Sequence, residues 1–327
     1  MCLLSVPYSR YVFGTLPWYS FLIVLGVVCA VFLAIREEKR LGLPKDTIID
    51  LALWLLPFGI IGARIYYVIF SWDAFKDDPV SILRVWEGGI AIYGAVIAGL
   101  LVILVFCHCR KLPVLSVCDA VVPGLALAQS IGRWGNYFNM EAYGLPVTDP
   151  SLCFFPLAVQ IPSANGYTWH MASFFYESLL DFLIFLFLWT VGRKHLRRRG
   201  DSFFFYLFLY GAGRLLIEET RMDSLYSSGV RVSQMVAAAA CLFVLIRYTV
   251  FSAREGRLHG FLIWCFLIPG FAGGIYALIW ALFGHLWAPV PLWIRLGLPA
   301  LSSILMKISL FILYFSHGGK ESCLQPD

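Results

Sequence analysis

The sequence predicts an all-α protein that crosses a membrane many times, and three observations predict it. Of its 327 residues, 60% are hydrophobic and only 14% are charged, with a mean hydropathy of +0.78. That is more apolar surface than a soluble core of this length can hide. The apolar runs reach about 20 residues, the length a helix needs to cross ~30 Å of hydrocarbon at 1.5 Å per residue. Finally, Phe21 to Leu33, Leu100 to Phe106 and Phe182 to Trp189 are apolar on every face. A barrel strand would instead alternate in polarity over about ten residues, so a barrel is excluded.

Apolar runs between polar breaks place candidate spans near residues 17–35, 47–71, 88–107, 116–133, 172–191, 203–219, 231–251, 260–284 and 292–315. The first run is longer than a signal-peptide core. It has no basic cluster before it and no small-residue cleavage site after it, so it is expected to remain as a spanning helix. The second opens on Thr47-Ile48-Ile49-Asp50 and the fourth on Ser116-Val117-Cys118-Asp119. Both have capping-box spacing, which predicts Thr47 and Ser116 as N-caps with a carboxylate in the first turn. The sixth is short, and its polar end is expected to be partly unwound or tucked inside the bundle. A loop of about 134–171, punctuated by Pro146, Pro150, Pro156, Pro162, Asn165 and Gly166, reads as an ordered cap. Residues 1–251 form the expected membrane domain. Residues 252–327 form a C-terminal extension, a short linker followed by two nearly apolar spans.

Orientation follows from Lys and Arg, which accumulate in the short cytoplasmic loops. With the amino terminus outside, the inner segments receive fifteen basic residues, among them Arg36, Lys39, Arg110, the run Arg193 to Arg199, Arg257 and Lys320, and the outer segments six. The formal charge of +5 is thus a signature of topology and gives no reason to invoke nucleic acid. The nine cysteines are scattered, without paired spacing or a neighbouring His cluster. They read as small membrane hydrophobes, and neither a metal nor a cofactor is implied.

An ionisable group inside a span costs a few kcal/mol, so each is a functional candidate. On this topology Tyr19, Arg64, Tyr93, Arg133, Asn136, Glu177, Arg214, Glu218 and Glu219, from six helices, fall at one depth below the outer face. A channel would string polar groups across the whole membrane; this clustering describes one polar pocket. Arg214, Glu218 and Arg221 share one helix face, so Arg214 with Glu218 is either a bundle-locking ion pair or part of the site. Arg133 has no acidic residue three or four positions away in its own helix, and its planar fork of donors suits it to clamp a phosphate.

The stretch Gly132-Arg133-Trp134-Gly135-Asn136-Tyr137-Phe138-Asn139-Met140-Glu141-Ala142-Tyr143-Gly144 closely resembles the signature of prolipoprotein diacylglyceryl transferases, Gly-Arg-x-Gly-Asn-Phe-x-Asn-x-Glu-x-x-Gly. Only Tyr137, standing for Phe, departs from it. Supporting segments follow in the family's order: Trp18-Tyr19, Gly62-Ala63-Arg64, Trp86 to Gly89 before Tyr93-Gly94, and Gly211 to Arg221. Tyr93-Gly94-Ala95 stands where many members carry His-Gly-Gly, so a histidine base is not carried over. The family's His-Pro-x-x-Leu-Tyr-Glu appears as His170 to Tyr176-Glu177, with one extra residue and no proline. The resemblance covers about residues 15 to 250, and the last two spans extend past the family's usual seven.

The resemblance implies transfer of diacylglyceryl from phosphatidylglycerol to the lipobox cysteine in the signal peptide of a prolipoprotein. A thioether forms and glycerol phosphate is released, at the outer face of the bacterial inner membrane, with membrane lipid as the surrounding partner. Arg133, Arg214, Tyr93, Asn136 and Glu141 are the expected catalytic residues. Arg133, Tyr19, Arg64, Asn139, Gly144, Glu177 and Glu218 are expected to bind substrate. A lipid-headgroup-binding transporter or flippase, or a repurposed transferase of the same ancestry, are the alternatives.

Overall fold

The structure, a computed structural model, describes residues 9–12, 14–163, 166–196, 198–222, 226–227, 230–256, 261–283 and 292–315. Arg197, Arg257, Lys320 and Asn165 lie outside the described residues. Nine long helices run through the described chain: α1 (Trp18–Arg40), α2 (Thr47–Phe70), α3 (Ile92–Arg110), α4 (Val114–Asn139), α5 (Ser173–His195), α6 (Asp201–Thr220), α7 (Val232–Arg254), α8 (Phe261–Phe283) and α9 (Leu292–Phe315). Eight are long and apolar enough to cross a membrane. The other, α6, holds Asp201, Arg214, Glu218 and Glu219 within 20 residues, so its charge sets it apart. It stays helical through Thr220 with Glu218 and Glu219 buried; its polar end is tucked in and not unwound.

Several boundaries differ from the expected ones for local reasons. Helix α3 starts at Ile92 because Gly88 and Gly89 adopt φ of 94° and 73°, a conformation open to glycine and incompatible with a right-handed helix. The capping boxes do not form. Helix α4 starts at Val114, ahead of Ser116. At α2 the Thr47 hydroxyl donates to the Pro44 carbonyl at 2.7 Å, and the Glu38 carboxylate accepts the backbone N–H groups of Asp46 (3.2 Å) and Ile48 (2.7 Å). A carboxylate from the end of α1 thus caps α2, and Asp50 pairs with Arg110 at 2.7 Å. Helix α4 runs on to Asn139, so the residues after Arg133 are helical and not part of a loop.

The chain divides into two compact units, residues 28–124 and residues 1–27 with 125–327. In the first unit α2 packs on α3 through opposed glycines. A Cβ on Gly62 would sit 2.8 Å from the Gly94 carbonyl oxygen, and one on Gly94 would meet the Gly62 carbonyl. Small residues are what let two membrane helices approach this closely. Ile48, Leu51, Phe106, Cys107, Val117 and Ala120 form the buried core beside this pair.

In the second unit α5 to α9 form a helical bundle, and the connection between α4 and α5 is ordered. Its centre is an antiparallel hairpin, Ala158–Ser163 with Gly166–Met171, in which Val159 opposes His170. An aromatic core ties this connection to α4. Trp134 lies about 6 Å from the rings of Tyr137, Phe155, Phe174 and Phe175, and Tyr137 and Phe174 are 5.4 Å apart. Edge-to-face and tilted pairs of this kind add specific geometry to the apolar burial.

Candidate active site

Three helices of the second unit deliver charged groups to one place. Glu177, in the second turn of α5, is 1% exposed, and burying a lone carboxylate would be costly. Its surroundings answer that cost. Arg133 of α4 pairs with Oε1, Arg214 of α6 donates to Oε2 at 2.8 Å, and the Arg221 guanidinium lies 3.5 Å from Oε2. The Tyr210 hydroxyl donates to Oε1 at 3.3 Å. Arg214 also pairs with Glu218, one turn along α6, at 2.8 Å. Three guanidinium groups thus gather around the Glu177 carboxylate, with Glu218 beside Arg214. Of the three, Arg133 is the most open, at 24% of its side chain against 14% for Arg214 and 12% for Arg221.

One helical turn deeper lies a second polar layer that sequence reasoning missed. Gln129 precedes Arg133 by four residues, Asp181 follows Glu177 by four, and Tyr206 precedes Tyr210 by four, so each stacks below its partner. The Tyr206 hydroxyl donates to Gln129 Oε1 at 2.7 Å, and Ser178 donates to the Ser130 carbonyl at 2.8 Å. Asp181 is fully buried, and neither of its oxygens has a hydrogen-bond partner among the described residues. An ionisable residue one turn from Glu177 inside a span was the signal that could have found it.

The adjacent glutamate of α6 turns away from this cluster. Glu219 pairs with Arg231 and accepts from Gln234 Nε2 at 2.9 Å and from Trp280 Nε1 at 2.8 Å. Glu218 and Glu219 therefore serve different partners, although they are neighbours in the chain.

The rest of the signature stretch is dispersed. Asn136 and Glu141 line a small cleft with Tyr143, Gln160 and Phe174, where the chain leaves α4 through Met140 and Ala142 with φ of 56° and 54°. Asn139 accepts from Arg10 Nε at 3.3 Å. Tyr19 packs on Gly135, where a Cβ would lie 2.7 Å from its ring. Gly144 is buried, its N–H bonded to the Met171 carbonyl at 2.8 Å and its carbonyl accepting from His170 Nδ1 at 2.9 Å. A Cβ there would strike Ser173 and Thr220, so Gly144 is a close-packing position.

Arg64 and Tyr93 belong to the other unit. The five N–H donors of Arg64 face main-chain carbonyls: Nε reaches Ile82 (2.9 Å), Nη1 reaches Gly88 (2.5 Å) and Gly89 (2.8 Å), and Nη2 reaches Ser81 (2.6 Å) and Arg84 (3.5 Å). Its guanidinium also lies over the Phe75 ring, 5.0 Å from the centroid. Arg64 thus holds the α2–α3 connection in shape. Tyr93 is half-buried, its ring 6.4 Å from that of Tyr66.

Comparison with known proteins places these residues in a family context. The family model described as prolipoprotein diacylglyceryl transferase matches residues 10–250. Curated relatives named phosphatidylglycerol–prolipoprotein diacylglyceryl transferase include one from Limosilactobacillus reuteri, 43% identical over 71% of this chain and 87% of the relative. Another, from Lactobacillus gasseri, is 44% identical over 67% of this chain and 81% of its own length. A third, from Streptococcus agalactiae, is 39% identical over 75% and 94%.

Proposed function

The chain belongs to the prolipoprotein diacylglyceryl transferase family, and from that premise we propose that it transfers the diacylglyceryl group of phosphatidylglycerol to the lipobox cysteine of a prolipoprotein. The sulfur bonds to the glyceryl carbon, the bond from that carbon to a phosphate oxygen breaks, and glycerol phosphate leaves with the electron pair. The thiol proton passes to the leaving phosphate or to solvent. The observation that carries the reading is the gathering of Arg133, Arg214 and Arg221 around one buried carboxylate, Glu177.

That arrangement suits the chemistry in two ways. A phosphodiester carries one negative charge, and the gathered guanidinium groups present opposite charge and planar donors to meet it. As the bond to carbon breaks, charge builds on the leaving phosphate, and preorganised guanidinium donors stabilise it without reorganising at the moment of reaction. Arg133, the most open of the three, is assigned to the phosphate, and Arg214 shares it. Glu177 and Glu218 hold both arginines in place. The same positive field favours thiolate over thiol at the incoming cysteine, whose free pKa of about 8.5 leaves it mostly protonated at neutral pH. Asn136 and Glu141, in the adjoining cleft, are assigned to positioning the headgroup.

We place the amino terminus and the hairpin cap on the outer side of the bacterial inner membrane, as the excess of Lys and Arg in the opposite loops supports. The site then opens to the leaflet and compartment where a secreted precursor presents its cysteine. The test is mass spectrometry of a lipobox peptide incubated with purified protein and phosphatidylglycerol in detergent. A diacylglyceryl adduct on cysteine, lost in Arg133→Ala, supports the reading; a well-folded wild-type protein that forms no adduct overturns it.

A further inference from the structure

The family match ends at residue 250, and α8 and α9 lie beyond it. These two helices are nonetheless bonded to α6 at three heights. Trp280 of α8 donates its indole N–H to Glu219 at 2.8 Å near the carboxyl end of α6. Ser303 of α9 donates to the Ala212 carbonyl at 3.0 Å in the middle. Tyr314 of α9 donates to Asp201 at the first residue of α6. Ser303, Met306 and Leu310 are fully buried, so α9 is seated along its length. The pair is also locked to itself, since Ser302 donates to the Gly273 carbonyl and Ser309 to the Phe266 carbonyl, each at 2.5 Å.

Helix α6 carries Arg214 and Glu218 on one side and Glu219 on the next position round. Because the helix turns as one body, holding Glu219 holds the direction in which Arg214 leaves the helix. Side-chain bonds at three heights restrain both rotation about the helix axis and sliding along it. A pair of helices serving only to cover apolar surface would need none of these donors; small and apolar residues would do.

We propose that the α8–α9 pair is a built-in clamp on α6 that sets the direction of the Arg214 guanidinium, with Trp280 and Tyr314 as positioning residues. This rests on the assignment of Arg214 to the substrate phosphate. The clamp supplies no group to the reaction; it acts through Glu219 at one end of α6 and through Asp201 at the other.

The test uses the full chain in detergent, with initial rates of peptide lipidation. Trp280→Phe keeps a ring and removes one N–H donor, and Tyr314→Phe removes one hydroxyl. Each is expected to lower kcat about three- to tenfold while KM for phosphatidylglycerol stays within about twofold and the melting temperature within about 2 °C, because small misplacements of a catalytic group cost more rate than binding or stability. In a Glu219→Met background, which has no acceptor for the indole, Trp280→Phe is expected to have no further effect. If Trp280→Phe and Tyr314→Phe both keep the wild-type kcat while Arg214→Ala abolishes transfer, the clamp is wrong and the site assignment stands. An active Arg214→Ala removes the site assignment and the clamp with it. A loss that persists unchanged in Glu219→Met, or that parallels a loss of folded protein, also overturns the clamp.

Discussion

Two sets of arginines in this protein, one buried and one half-buried, use the same donors in opposite ways. Arg64, in the unit of residues 28–124, gives all five N–H groups to main-chain carbonyls within a single connection. Arg133, Arg214 and Arg221, in the other unit, converge from two helices and the residue following one of them on a carboxylate carried by a third. Neutral carbonyls satisfy geometry and leave the charge in place, but a guanidinium whose donors are all occupied cannot grip a new anion. Carboxylates shared among three arginines fix their positions and gather their charge in one place. The lesson is that an arginine inside a membrane span is read by its acceptors; its depth alone does not separate the two roles.

Substitutions break or sharpen that contrast, beginning with the hub. Glu177→Gln keeps the shape and removes the anion common to three guanidinium ions, and it is expected to cost about 3–5 kcal/mol, since breaking a buried pair leaves uncompensated charge. Thermal unfolding in detergent measures it, and a stability near wild type would mean that the arginines do not depend on Glu177. Arg214→Ala comes next, with an expected loss of about 100-fold or more in peptide lipidation, the usual cost of deleting one preorganised donor.

Arg64→Lys should show the reverse pattern. A lysine cannot reach several carbonyls in one plane, so a loss of about 1.5–3 kcal/mol in stability is expected from bonds to a charged group, with lipidation per folded molecule within about threefold. A collapse of activity without loss of stability would dissolve the distinction between the two sets. The smallest effect is expected at the Arg110–Asp50 pair, whose side chains are 58% and 36% exposed. Arg110→Ala should change stability by no more than about 0.5 kcal/mol, and less in high salt.

Much of the fold was legible because its cause is local. Apolar length alone marks α1 to α5 and α7 to α9 as spanning candidates, since nothing else explains 20 apolar residues in a row. The polar helix α6 was also legible, though its composition could not say whether its charged end unwinds or is buried. The helix boundaries were less so. Glu38 takes the capping role expected of Thr47, from the far side of a turn, and no spacing rule within α2 points to it. The glycine pair at 88 and 89 delays α3 through backbone angles that a hydropathy profile does not register.

For the candidate site, the sequence by itself singled out the run from Gly132 to Gly144 and the ionisable residues Arg133, Glu177, Arg214 and Glu218 inside otherwise apolar helices, because charge in a span is costly enough to be conspicuous. It could not determine partnership, since which carboxylate meets which guanidinium depends on how helices far apart in the chain are rotated against each other. Tertiary structure alone decided that Glu177 is the common anion, that Arg64 serves a connection, that Gly144 is a packing position and that Glu219 faces Trp280 while Glu218 faces Arg214. The physical reason is one of range. Hydrophobicity and charge are properties of a residue and can be read in place, whereas ion pairing within a few ångströms is a property of packing.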